Sequence, residues 1–171
     1  LSGNIIHDPN ISEIADKLFT IKGGHAGTNT LSGQISDGLG GFKTSVKKDG
    51  PGKWVLGGSL QYYTGSTTVN EGTLVWNASY SLTAAISVNS GGTLAGVGLI
   101  ERPATIAPGG TLSPGDSIGT LFLYGDLNLN GNLFIEVDKS LSPSNDVVFA
   151  AGALTCAGTG TVTVKNLGSA L

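Results

Sequence analysis

The sequence predicts an all-β solenoid, a stack of short parallel strands joined by tight turns. Three observations carry this expectation. Glycine accounts for 28 of the 171 residues, and charged residues make up only 12%, against ~25% in ordinary domains. Hydrophobic residues still reach 39%, so the chain has the means to bury a core. The third observation is an internal repeat. Val69-Asn70-Glu71-Gly72-Thr73-Leu74, Val88-Asn89-Ser90-Gly91-Gly92-Thr93-Leu94 and Ile106-Ala107-Pro108-Gly109-Gly110-Thr111-Leu112 share one form. A β-branched residue is followed by a short turn ending in Gly, then Thr-Leu, and the leucines lie 20 and 18 residues apart.

The repeat has a direct physical reading. The β-branched residue suits a pleated, half-buried surface, Gly supplies positive φ at the bend, and Leu turns inward on the next strand. One coil cannot bury its apolar face alone, but a stack of coils can. A period near 19 predicts about nine coils and a rod of about 40 Å at the ~4.8 Å strand spacing.

The elements follow in chain order. Residues 1–28 form an N-terminal segment or cap, and residues 29–171 form the repeat domain. Within the first segment, Asn10 to Leu18 fits a short capping helix with Asn10 as N-cap and Glu13 at the third position. The alternative there is a loop followed by a strand over 18–21. Lys53-Trp54-Val55-Leu56-Gly57-Gly58 and Thr161-Val162-Thr163-Val164 read as short strands. Residues 127–137 alternate around Asn130-Gly131, which suits a hairpin; in a solenoid the same pattern is one coil passing its corner, and the coil is the preferred reading. Residues 111–121 read TLSPGDSIGTL, with Pro114 and Gly115 suited to a β-turn and Asp116 or Ser117 suited to bonding local amides.

These segments resemble a known family. Asn29 to Gly38, Gly52 to Gly58, Tyr63 to Leu74, Gly91 to Gly98 and Gly109 to Leu121 are similar to passages of bacterial autotransporter-associated β-strand repeat proteins. The resemblance covers residues 29 to about 138 and, more loosely, runs to 165. It implies a right-handed parallel β-helix in a secreted or surface-displayed protein, located outside the cell or on the bacterial surface. It implies a structural or adhesive role, and the family motif brings no catalytic residue with it. No succession of alternating barrel strands accompanies the repeats, so the resemblance is to a passenger segment and leaves the export route open. With no methionine, the sequence reads as a fragment or processed chain.

Gly115-Asp116-Ser117-Ile118-Gly119 matches G-x-S-x-G, the nucleophile elbow of serine hydrolases. That elbow requires a helix after the serine, whereas Thr120-Leu121-Phe122-Leu123 is β-like. The histidines, His7 and His25, both lie upstream. The pair His7-Asp8 has no further clustered ligands beside it. Asp116, Asp126, Asp138 and Asp146 share no calcium-binding period. Glu13, Glu71, Glu101 and Glu136 are scattered, and no phosphate-binding loop occurs. The expectation is a non-enzymatic chain without cofactor or metal. Arg102 is the single arginine and the net charge is −3, which offers no surface to nucleic acid. No apolar run reaches membrane-spanning length. The lone Cys156 reads as a buried small apolar residue.

Two partner classes remain. A solenoid exposes strand edges at its ends, so adjoining segments of a longer chain or other copies of itself are expected there, the latter giving an end-to-end fibre if no cap exists. Surface glycans are the alternative, with Trp54, Tyr62, Tyr63, Trp76 and Tyr80 as a stacking face on a polysaccharide-binding or polysaccharide-cleaving β-helix.

Overall fold

The computed structural model describes residues 15–58 and 60–169, and it is a parallel β-helix. The first coil holds β1 (Lys17–Ile21) and β2 (Thr28–Leu31). The second holds β3 (Thr44–Lys48), β4 (Lys53–Leu56) and β5 (Leu60–Gln61). The third holds β6 (Thr67–Val69), β7 (Gly72–Trp76) and β8 (Tyr80–Ser81). The fourth holds β9 (Ile86–Val88), β10 (Gly92–Gly96) and β11 (Leu99–Ile100). The fifth holds β12 (Ala104–Ile106), β13 (Thr111–Pro114) and β14 (Thr120–Leu123). The sixth holds β15 (Leu127–Leu129), β16 (Asn132–Val137) and β17 (Val147–Ala150), and the seventh β18 (Leu154–Thr155) and β19 (Val162–Asn166).

The first strands of the coils form a seven-stranded face, β1-β3-β6-β9-β12-β15-β18, and the second strands form another, β2-β4-β7-β10-β13-β16-β19. A narrower third face contains β5-β8 and β11-β14-β17. Every named strand pairing is parallel. β1 pairs with β3 across Lys17–Ile21, so the strand alternative holds at 17–21; the rest of the capping-helix expectation falls almost wholly outside the described residues, as do His7, Asp8 and Glu13.

The repeat aligns in space as its letters align in sequence. Leu74, Leu94 and Leu112 are register partners, as are Thr73, Thr93 and Thr111. Val69, Val88 and Ile106 form the matching column on the first face. All six apolar residues are fully buried. Residues 127–137 divide between the first and second faces, which makes Asn130-Gly131 a coil corner and not a hairpin.

Among the described residues the coils number seven along the two long faces, against the nine expected. The short period holds only in the middle of the stack. Elsewhere the corners lengthen, through a 3-10 turn at Leu39–Gly41 and a loop at 138–146, so each of those coils consumes more chain. Six steps of ~4.8 Å give about 29 Å of axial rise.

The corners are built from backbone. Gly72, Gly91 and Gly109 have φ of 68°, 87° and 81°. The Gly72 N–H donates to Gly91 O at 3.1 Å, and the Gly91 N–H donates to Gly109 O at 3.0 Å. Gly92 lies so close to the coil below that a Cβ on it would press into the Val69 carbonyl. Asparagines complete the corner: Asn70 Nδ2 donates to Asp49 Oδ1 and Asn89 Nδ2 to Asn70 Oδ1, each at 2.8 Å. The Asn70 amide, then Lys47, holds the Asp49 carboxyl below its usual range.

Polar groups inside the stack are mostly matched, the buried Ser81 Oγ being the exception among the described residues. Lys48 is fully buried on the first face, and its Nζ donates to Gly50 O at 2.5 Å and Glu71 O at 2.9 Å. Burial lowers its pKa, against the pull of Glu71 and Asp49. Tyr63 is also fully buried, and its hydroxyl lies 2.6 Å from Thr67 Oγ1. Gln61 Oε1 accepts the Ile35 N–H at 3.0 Å. Asp146 accepts the Gly119 N–H at 2.9 Å and the Glu136 N–H at 2.7 Å, joining the loop at 138–146 to the fifth and sixth coils. Burial raises the Asp146 carboxyl above its usual range, and those two backbone bonds oppose the rise.

Two outcomes follow. Gly92→Ala should cost ~2 kcal/mol of unfolding free energy, because strain of this kind costs 1–3, while Thr105→Val on the outer first face stays within ~0.5. Urea unfolding distinguishes them, and equal midpoints would refute the corner argument. The native Asp146 carboxyl keeps its proton at pH values where the unfolded chain has lost it. Its contribution to stability therefore falls as pH rises from ~4, the ordinary Asp value, through the raised native value. Asp146→Asn should remove that component, read as the difference between the two proteins' stability–pH curves; parallel curves would contradict it.

Candidate functional site

The outer surface of the second face carries a groove of about 220 Å³. Lys53 of β4, Thr73 of β7, Thr93 and Ala95 of β10, Ser113 of β13 and Phe134 and Glu136 of β16 line it. Gly115, Asp116 and Ser117 form one wall, so the hydrolase-like motif stands at the groove after all. The loop is shaped by glycine. Gly115 has φ 82°, and its backbone exchanges hydrogen bonds with Gly96, N to O at 2.7 and 2.8 Å. A Cβ on Gly115 would overlap the Ser117 carbonyl.

Asp116 does not bond a local amide, as the turn reading expected. It forms an ion pair with Lys53, which belongs to the second coil while the loop leaves the fifth. Both side chains are more than a third exposed, so the pair adds little stability. Glu136 Oε1 lies 3.2 Å from Lys165 Nζ. The hydroxyls of Thr73, Thr93, Ser113 and Ser117 have no hydrogen-bond partner among the described residues.

β13 precedes the motif and β14 follows it, so a strand occupies the place where an elbow has its helix. His25 lies in the corner between β1 and β2, four coils from Ser117, and no histidine lines the groove. The aspartates are spread through the stack. Asp126 accepts the Ala153 N–H at 2.8 Å from one coil to the next, and Asp138 accepts the Ser140 N–H at 2.9 Å within its own loop. With its hydroxyl partner Ser140 first and the Ser140 backbone next, Asp138 is held below its usual range.

The five aromatics singled out in the sequence do not form one face. Tyr63 and Trp76 are core residues, and Trp54 donates its Nε1–H to Lys22 O at 3.2 Å. Tyr62 and Tyr80 pack together on the third face, ring centroids 6.5 Å apart. Farther along that face Phe149 packs between Phe122 and Tyr124, at 5.8 and 5.9 Å. The strands β5, β8, β11, β14 and β17 contain no charged residue. The outer third face is thus a neutral strip with exposed aromatics, which the sequence did not mark because its members come from different coils.

The two ends of the stack differ. Ile21, Leu31 and Ile35 of the first coil are buried. In the seventh coil Leu154, Val162 and Val164 are 56%, 67% and 60% exposed. A cavity of about 130 Å³ opens there among Leu129, Leu133, Cys156 and Val162. Cys156 is exposed and not buried, because no coil among the described residues lies over it.

Ser117→Ala should leave the melting temperature within a degree or two, since surface changes stay within ~0.5 kcal/mol. Gly115→Val should lower stability by more than ~2 kcal/mol, through positive φ and the overlap with Ser117. Thermal unfolding of both variants checks this; equal loss in the two would refute the turn assignment.

The comparisons with known proteins agree with this architecture. The passenger-associated-transport-repeat family matches residues 46–75, the stretch from β3 into β7. The chain is also similar to the adhesin BmaC autotransporter of Brucella suis biovar 1 (strain 1330), 38% identical over 135 residues. That match takes in 67% of this chain and 4% of the adhesin, so the chain spans a small part of that relative's length. No solved structure matches. The chain is an autotransporter passenger-like repeat protein, surface-displayed or secreted from the cell.

Proposed function

We propose that the chain is a non-catalytic structural and adhesive segment of a passenger, and that its open end is continued by further parallel coils of the same polypeptide. One observation carries the second part: Ile21, Leu31 and Ile35 of the first coil are buried, whereas Leu154, Val162 and Val164 of the last are bare. Leu154, Val162 and Val164 continue the inward columns of the coils before them and have the form of a surface awaiting the next coil. The similarity to an adhesin that this chain covers only in small part supports both adhesion and continuation.

Adhesion needs a surface that the stacking does not use. The neutral third face, with Tyr62, Tyr80, Phe122, Tyr124 and Phe149 exposed, is one such surface, since Tyr and Phe combine large contact area with few rotamers. Surface glycans are the second reading, favoured by the unengaged hydroxyls of the groove on the second face.

The test concerns Val164. In the 171-residue chain, Val164→Asp should change stability by less than ~0.5 kcal/mol, because the side chain is exposed. In a longer form carrying the residues that follow in the parent protein, the same change should cost more than ~2 kcal/mol by burying an unpaired carboxylate. Equally small effects in both forms would overturn the continuation. Failure of cells to attach to a surface coated with the protein would overturn the adhesive part.

A further inference from the structure

We infer that the groove on the second face binds one neutral hexopyranose unit of a glycan; the inference rests on the adhesive reading above. Four hydroxyls, from Thr73, Thr93, Ser113 and Ser117, line the groove with their hydrogen-bonding capacity unspent among the described residues. Thr73 and Thr93 are register partners on adjacent coils. Their side chains therefore repeat at the ~4.8 Å strand spacing, which matches hydroxyls two carbons apart around a pyranose ring. Phe134 supplies an aromatic surface beside them for the C–H face of the sugar.

The charges select the class. Lys53 is matched by Asp116, and Glu136 is matched by Lys165. No cation among the lining residues is left over for a uronate, a sialic acid or a phosphate, while the carboxylates remain able to accept from sugar hydroxyls. The volume of about 220 Å³ falls below the ~300–1,000 Å³ of pockets for drug-sized ligands, so it suits a single ring with the rest of the glycan running out into solvent. The third face is the poorer platform for a sugar. Its rings are tilted against one another by 59°, 49° and 48°, so they present edges where stacking needs a shared flat surface.

The experiment is a titration of the isotope-labelled protein with methyl glycosides of glucose, galactose, mannose and N-acetylglucosamine, with methyl glucuronide and glycerol as controls, followed by backbone amide shifts. At least one neutral glycoside should move the amides of Thr73, Thr93, Ser113 and residues 115–119 together. Thr93→Val and Phe134→Leu should each weaken that glycoside about tenfold, the equivalent of ~1.4 kcal/mol, with shifts elsewhere unchanged as proof of folding. The inference is overturned if no neutral glycoside moves these amides at its solubility limit. It is equally overturned if methyl glucuronide or glycerol binds as well, or if both variants bind like the native protein. Cell attachment measured alongside separates the two levels. Attachment that survives both substitutions, without glycoside shifts, removes the groove and leaves adhesion standing.

Discussion

The structure depends on one constraint: each coil must hydrogen-bond its backbone to the coils on either side at its corners as well as along its strands. Strands satisfy this readily, since parallel pairing repeats at a fixed spacing. Corners do not, because the chain changes direction there and side chains would hold the coils apart. The glycines at 72, 91 and 109 resolve this with positive φ, and the amides of Gly72 and Gly91 donate straight to the next coil's glycine carbonyl. Asn and Asp side chains bridge neighbouring coils as well, both beside these glycines and farther along the stack. Asn130 accepts the Ala157 N–H at 3.1 Å and Asn132 the Thr161 N–H at 3.1 Å. The low charge and high glycine content are consequences of this packing.

A stack held in this way leaves its outer positions free to differ between faces. The first face shows Lys47, Thr68, Ser87 and Thr105 in one register column, a polar surface. The second face carries the groove, with a loop from the fifth coil tied to a lysine of the second. The third face shows aromatics and no charge. The three surfaces share one scaffold but not one chemistry. Recognition by such a protein is a matter of which side chains the register brings into line, and the interior is largely indifferent to them.

The middle coils were legible because their period is short and even: Thr-Leu after a glycine turn recurs, and register follows from recurrence. The coil count was not, since the longer corners at 36–44 and 138–146 carry no repeating letters. Cys156 misled because its type suits an interior, whereas its burial depends on whether another coil lies above it. The asparagine ladder had a signal in Asn70 and Asn89, each directly after the β-branched residue, which could have been read. The Lys53–Asp116 pair had none. Its partners lie 63 residues apart, and only the reach of the folded loop brings them together. Around Ser117 the positive φ of Gly115 was legible, but Pro114 belongs to β13 and Asp116 reaches Lys53, and the motif's place beside a polar groove was invisible until the coils were stacked.

Native-state hydrogen exchange, resolved residue by residue, tests the stacking account most directly. If coils are stabilised by neighbours on both sides, the amides of Gly72, Gly91 and Leu94 in the middle of the stack should exchange slowly and together, by global unfolding. Protection should then fall through the sixth coil and be lowest in β18 and β19, where the outer side has no partner among the described residues. Protection of β19 equal to that of β7, or a middle coil that opens independently of the coils beside it, would contradict the account.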